Sequence, residues 1–120
     1  MLDLIAKQFE DNKRLGLVFP DDPHIVGWWS NRECAEALAT KMRLTAALPQ
    51  AFEFPVGTMF WCRPAALRPL FDLRLTWDDY PVEPVPIDGT ILHAIERLLP
   101  FVAQNEGYAI GATHVPGVCR

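Results

Sequence analysis

Cysteine is scarce in this chain, and that limits its chemistry first. Cys34, Cys62 and Cys119 are odd in number and widely spaced, with no Cys-x-x-Cys pair. A disulfide framework or a thiolate zinc site is therefore not expected, and free thiols in a reducing compartment fit better. Cys34 and Cys62 read as small core residues, the usual fate of free cysteine. Basic charge is also short: Lys and Arg number 11 against 15 Asp and Glu, for a net charge of -4 and a pI near 5.2. Phosphate binding wants a basic face, which argues against nucleic acid as the partner. No apolar run reaches the roughly eighteen residues of a membrane-spanning helix. The start, Met1 to Lys7, lacks the basic flank and apolar block of a secretory signal. Missing too are the glycine-rich phosphate loops GxGxxG and GxxxxGK[ST], the HExxH and EF-hand patterns, the Gly-x-Ser-x-Gly elbow of hydrolases, and any Asp-x-Asp.

Apolar residues are plentiful. They make up 50% of the 120 residues, with 22% charged, which supports one modest domain over residues 1–120 with a real core. The 11 prolines include a cluster at Pro81, Pro84 and Pro86. With strong apolar segments between them, they predict ordered, stiffened loops rather than disorder.

The stretch from Phe54 to Pro69 is the most informative. Phe54 to Gly57 reads as a turn, Thr58 to Cys62 as a short buried strand, and Arg63-Pro64 as the opening of a helix, since proline at the first helical turn sacrifices no hydrogen bond. A strand running straight into a helix aims residues at a crevice beyond the strand end, and Arg63 sits at that junction.

Around it, Leu2, Ile5, Ala6 and Phe9 mark one face of a helix over residues 2–12. Leu15 to Phe19 reads as a strand, with Gly16 signalling close backbone approach. The Trp28-Trp29 pair is either a plug on the core, which core statistics favour, or a stacking platform for a flat ligand or sugar ring. His24 is a candidate ligand or acid–base group, though an ordinary loop histidine is the simpler account. Ser30-Asn31-Arg32-Glu33 matches a capping box, and Ala35, Leu38, Ala39 and Met42 form the apolar face of the helix it starts. A further helix, short or distorted by Pro69, should cover Pro64 to about Asp72, with Ala66, Leu67, Leu70 and Phe71 inward. Asp88 is placed to cap the strongest helix, accepting from the amides of Thr90 or Ile91. Ile91, Leu92, Ala94, Ile95, Leu98, Leu99 and Val102 give that helix a broad buried face, and His93, Glu96 and Arg97 its polar edge. Pro100 should kink or restart it, and Gly107 end it. Tyr108 to Ile110 reads as a last strand, with a tail from Thr113 to Gly117. The order predicts an α/β fold, a small sheet of about three strands packed by about four helices.

Acids gather around the long loop: Asp78, Asp79, Glu83 and Asp88. Carboxylates packed near aromatics can raise one pKa enough to make a general base. The structural account gives Asp88 to a helix cap and Asp78 and Asp79 to loop hydrogen bonds, and the residues alone favour it.

Four stretches resemble the rhamnan synthesis protein F family, glycosyltransferase-like proteins of bacterial cell-surface polysaccharide synthesis. They are Leu15 to Pro20, Phe54 to Leu67 with its Gly-Thr-Met-Phe-Trp run, Leu75 to Pro81, and Ile87 to Leu99 with Asp-Gly-Thr-x-x-His-Ala-x-Glu-Arg. The resemblance itself covers nearly the whole chain. The resemblance implies transfer of a deoxysugar such as rhamnose from a nucleotide-sugar to a growing glycan, on a type-A glycosyltransferase fold. That fold's nucleotide-binding half carries an Asp-x-Asp that holds a divalent metal. Lacking that motif, this chain resembles the acceptor-side portion of a longer enzyme, with no cofactor of its own and no expected activity alone. Carried across, the resemblance makes Asp88 the first candidate for base or acceptor contact, with Asp78 and Asp79 behind it. Arg63, His93 and Arg97 become candidate contacts to substrate or diphosphate, and Trp61 and Trp77 candidate sugar-stacking residues. A non-catalytic α/β binding module is the alternative. The expected partners are a nucleotide-sugar and a glycan acceptor in the full-length context, without nucleic acid, and self-association is expected through exposed apolar surface. The expected location is the cytoplasm, at most peripheral to the inner membrane, and lipopolysaccharide is the kind of product implied.

Overall fold

Leu15-Gly16-Leu17-Val18-Phe19 is uniformly apolar, and a strand of that kind is stable only with both faces covered. It forms β1 (Leu15–Pro20), the central strand of a three-stranded sheet, in the computed structural model, which describes residues 2–21 and 27–113. β2 (Trp61–Cys62) pairs with it antiparallel, Leu17 opposite Cys62. β3 (Ala109–Thr113) pairs with it in parallel, running on beyond the expected Ile110. The fold is α/β with a mixed sheet in the order β2-β1-β3.

Gly16 explains how β1 serves two layers. The register of β1 on β3 shifts between Leu15 and Leu17. That irregularity puts Leu15 with Val18 on one face, against Ile5 of α1 (Leu2–Asp11), while Leu17 and Phe19 join the larger core on the other. A Cβ on Gly16 would lie 2.5 Å from the Tyr108 Cβ and 2.9 Å from the Ala66 Cβ, so the expected close approach is real. α1 is shallower than its spacing predicts: Ile5 is buried and Phe9 half-buried, but Leu2 and Ala6 face solvent.

The larger core lies between the sheet and two helices, α2 (Arg32–Lys41) and α4 (Ile91–Asn105). Ala35, Leu38, Ala39 and Met42 are all buried there, as the periodicity predicts. The capping box does not form. A 3-10 turn over Trp29–Asn31 runs into α2 and leaves Ser30 in a turn conformation, and no side-chain cap is made. The apolar run before β2 also differs from expectation. Gly57 and Thr58 both have left-handed backbones, and the Glu96 carboxylate accepts from the Gly57 amide and the Thr58 hydroxyl. The chain is thus held in a turn until it reaches Phe60, so β2 is only two residues long and half-buried, and Met59 is exposed.

After Arg63 a 3-10 turn (Pro64–Leu67) precedes α3 (Arg68–Asp72). The break falls where Pro69 cannot donate the next helical hydrogen bond. Ala66 and Leu67 are buried and Leu70 half-buried, but Phe71 is exposed. Pro100 lies inside one continuous helix, so of the two expected outcomes it does not restart α4. α4 departs from expectation in two ways. Its N-cap is Thr90, which accepts from the His93 amide, and not Asp88. Arg97 is fully buried instead of lying on the polar edge, while Leu92 is more than a third exposed. The C-terminus is as expected: Gly107 takes φ 87°, its amide bonds to Gln104, and Tyr108 reaches back to Ala103, the paired bonds of a glycine-ended helix. His24, Cys119 and the tail beyond Thr113 lie outside the described residues. Cys34 and Cys62 are half-buried against the core, and burial raises both thiol pKa values.

Candidate functional site

The N-terminal end of α4 collects most of the polar side chains that the interior holds. Asn31 is fully buried and saturates three neighbours. Its Nδ2 donates to the Trp28 carbonyl at 2.8 Å and to Asp88 Oδ1 at 2.6 Å, and its Oδ1 accepts from the Gly89 amide at 3.0 Å. Asp88 Oδ2 also accepts from the Ser30 amide at 3.1 Å. Burial works to raise the Asp88 pKa. The hydrogen bonds from Asn31 and Ser30, together with the nearby Gly89 amide and the Arg97 charge, outweigh it and hold the carboxyl below its ordinary value.

Arg97 sits beneath this junction. Its Nε donates to the Gly27 carbonyl at 2.7 Å, and its Nη1 donates to the His93 carbonyl at 3.1 Å and to Glu96 at 3.3 Å. Its guanidinium lies 4.8 Å from the Phe54 ring centroid and 5.3 Å from that of Trp29. Burial draws its pKa down against the raising effect of Glu96 and Asp88. A buried charge of this kind must be paired and hydrogen-bonded, and here two carbonyls and two carboxylates serve. His93 Nδ1 lies 2.7 Å from the Thr90 hydroxyl.

On the other side of the same helix end is a cavity of about 700 Å³, lined by Trp77, Asp78, Tyr80, Pro81, Val82, Glu83, Val85 and Leu92. The 3-10 turn Trp77–Asp79 forms its upstream wall, and the Glu83-Pro84 peptide in its rim is cis. Trp77 is 88% exposed, so its indole lines the opening without supporting the core. Two adjacent acids behave differently. Asp79 accepts from the Thr76 amide and hydroxyl and so closes its own turn. Asp78 lines the cavity, and no hydrogen bond among the described residues engages its carboxylate. Apolar walls with a few polar groups, at this volume, suit a small ligand. Among the described residues, no three His, Cys, Asp or Glu side chains could hold a metal ion together.

The family model of rhamnan synthesis protein F matches residues 1–108. The chain belongs to that family. The chain is also similar to two curated relatives, both called uncharacterized protein WxcX and both from strains of Xanthomonas campestris pv. campestris. Each is 31% identical over 114 residues, which is 91% of this chain and 16% of the relative. The chain thus spans about a sixth of the length of the curated relatives it matches. No solved structure matches it at a significant level. The family ties the chain to rhamnan and polysaccharide synthesis.

Within this chain, the candidate residues divide into three places. Asp88, His93 and Arg97 meet at the α4 entrance. Trp77 and Asp78 share the cavity beside it, while Asp79 turns away into its own loop. Arg63 and Trp61 lie elsewhere. Arg63 Nε donates to the Leu15 carbonyl at 2.7 Å, and its Nη2 donates to the carbonyls of Phe9 and Asn12, so it ties α1 to the sheet. Trp61 packs half-buried beside Ile5, Leu15 and Val18 on that same side. The two tryptophans part company. Trp28 is the plug, packed against Phe52, stacked on Phe101 and donating to the Pro49 carbonyl at 2.6 Å, whereas Trp29 is exposed. Asn31, Glu96, Tyr80 and Leu92 contribute to these sites without having been singled out as site residues. A buried asparagine reads as a plain loop residue until its distant partner is known. No described helix is long and apolar enough to cross a membrane.

Proposed function

We propose that this chain is the acceptor-side portion of a glycosyltransferase of cell-surface polysaccharide synthesis, such as that of lipopolysaccharide, acting on the cytoplasmic side. A nucleotide-bound deoxysugar such as rhamnose is the donor, and the growing glycan occupies this portion. The observation that carries the reading is the cavity beside Leu92, where an exposed tryptophan and an unengaged carboxylate face one opening in a polysaccharide-synthesis protein. The apolar C–H face of a sugar packs on Trp77, and Asp78 accepts from a sugar hydroxyl. Asp78 is then the group best placed to take the acceptor proton in the full-length protein. Asp88, whose carboxylate is already bonded to Ser30 and Asn31, contacts or positions the acceptor from the neighbouring helix end, with His93 beside it.

Donor binding and the metal belong to other parts of the longer protein in this reading, so the 120-residue chain binds glycan without turning it over. An NMR titration with short rhamnose glycans tests it. Shifts at Trp77, Asp78 and Leu92 are expected, with no transfer from nucleotide-sugars in magnesium or manganese. A silent cavity sinks the site assignment, and turnover by the isolated chain sinks the division of labour. The engagement of Asp79 and Asp88 in structural hydrogen bonds favours a second reading, a non-catalytic binding module. It predicts glycan binding by the full-length protein that Asp78→Asn leaves without any effect on transfer.

A further inference from the structure

Trp29 is turned out of the structure at the same helix end, and the described contacts give it no packing role to match. It is 59% exposed and holds φ at 53°, a left-handed backbone that bulky residues avoid unless their surroundings impose it. Three contacts impose it here. The Gly27 carbonyl ahead of it is bonded by Arg97, the Ser30 amide after it is bonded by Asp88, and the Arg97 guanidinium lies 5.3 Å from its ring centroid. Because Arg97 is buried, it covers the inner face of the indole and leaves the outer face to solvent.

A flat, rigid, apolar ring propped outward on a buried cation is suited to stack on another ring. Beside it, the Asp88 carboxylate keeps acceptor capacity beyond its bonds to Ser30 and Asn31. The stretch from Asp88 to Leu92 links this ring to the cavity: a Cβ on Gly89 would lie 3.9 Å from that of Ser30, and Leu92 lines the Trp77 opening. Resting on the polysaccharide reading above, we infer that Trp29 is the stacking platform of a second saccharide subsite. The acceptor is then an oligosaccharide that runs across the α4 entrance from Trp77 to Trp29, not a single sugar.

The test compares methyl rhamnoside with a rhamnose trisaccharide on the folded chain, by NMR and calorimetry. The monosaccharide should move signals around Trp77 alone. The trisaccharide should also move the Trp29 indole N–H and bind about tenfold more tightly, the effect of one added ring stack. Trp29→Ala and Trp29→Gly should each remove that tenfold gain and leave monosaccharide binding unchanged, while Trp29→Phe should keep most of it. The glycine variant accepts the left-handed backbone, so it controls for misfolding. Trisaccharide binding that is equally tight in Trp29→Gly overturns the second subsite and leaves the cavity reading standing. Silence of both probes at Trp77 in the unaltered chain overturns the polysaccharide reading, and the subsite with it.

Discussion

Asn31 and Asp88 are joined by a 2.6 Å hydrogen bond across 57 residues of sequence, and this bond fastens the start of α2 to the start of α4. Replacing Asn31 by alanine would strand the Gly89 amide and remove a donor from Asp88, while the Trp28 carbonyl keeps its bond from the backbone amide of residue 31. Losing partly buried bonds of this kind costs about 2 kcal/mol together. A urea midpoint that barely moves in Asn31→Ala would contradict the fastening role.

The same carboxylate predicts a pH effect whose sign is fixed. The folded pKa of Asp88 lies below its ordinary value of 3.8. Its stabilising contribution is therefore fully present above that value and fades as pH falls through the folded pKa. Asp88→Asn should lower stability at neutral pH, and the gap between the two proteins should narrow below pH 3.8. Chemical denaturation from neutral to strongly acidic pH would show it, and a gap independent of pH would refute it.

Gly16→Ala should be among the most damaging single changes. The added methyl meets the Cβ atoms of Tyr108 and Ala66 inside 3 Å, and neither can swing away. Overpacking on this scale costs about 3 kcal/mol. Calorimetry on the variant would show the drop in Tm, and an unchanged Tm would mean that β1 and Tyr108 can separate cheaply.

Backbone strain at Trp29 makes a finer prediction. Trp29→Ala and Trp29→Gly lose the same ring, but only glycine relieves the left-handed backbone. The glycine variant should be the more stable by about 1 kcal/mol. Equal stabilities would mean that φ at this position is unstrained.

Trp77→Ala should leave stability within about 0.5 kcal/mol, because so little of the side chain is buried. Glycan binding should weaken about tenfold or more with the loss of the stacking face. Intact affinity would move the acceptor site away from the cavity.

Much of this molecule can be read without coordinates. The periodicity of α2, the apolar run of β1 and the glycine end of α4 are local properties, in which neighbouring residues dictate the outcome, whereas the atoms that crowd Gly16 come from the distant Tyr108 and Ala66. The misreadings share one cause. Ser30 and Asp88 carry the side chains of good N-caps, yet neither caps its own helix, because Asp88 is engaged by Ser30 and Asn31 across the interface. Thr58 looks like a strand residue, but the Glu96 carboxylate, distant in sequence, holds it in a turn. Arg97 falls on a polar face by helical spacing and is buried because the Gly27 carbonyl and the ring of Phe54 come to cover it.

The candidate site divides along the same line. The sequence by itself determined the α/β class, the family and the aromatic and acidic residue types of the candidate site, since those depend on runs of adjacent residues and on composition. Tertiary structure alone decided which of them meet: it brought Asp88, His93 and Arg97 to one helix end, put Trp77 and Asp78 on a shared cavity, and sent Arg63 and Trp61 to the α1 side of the sheet. It also separated Trp28 from Trp29, one into the core and one into solvent. The physical reason is that long-range hydrogen bonds and burial of charge are settled by which segments pack together, and no local spacing encodes that.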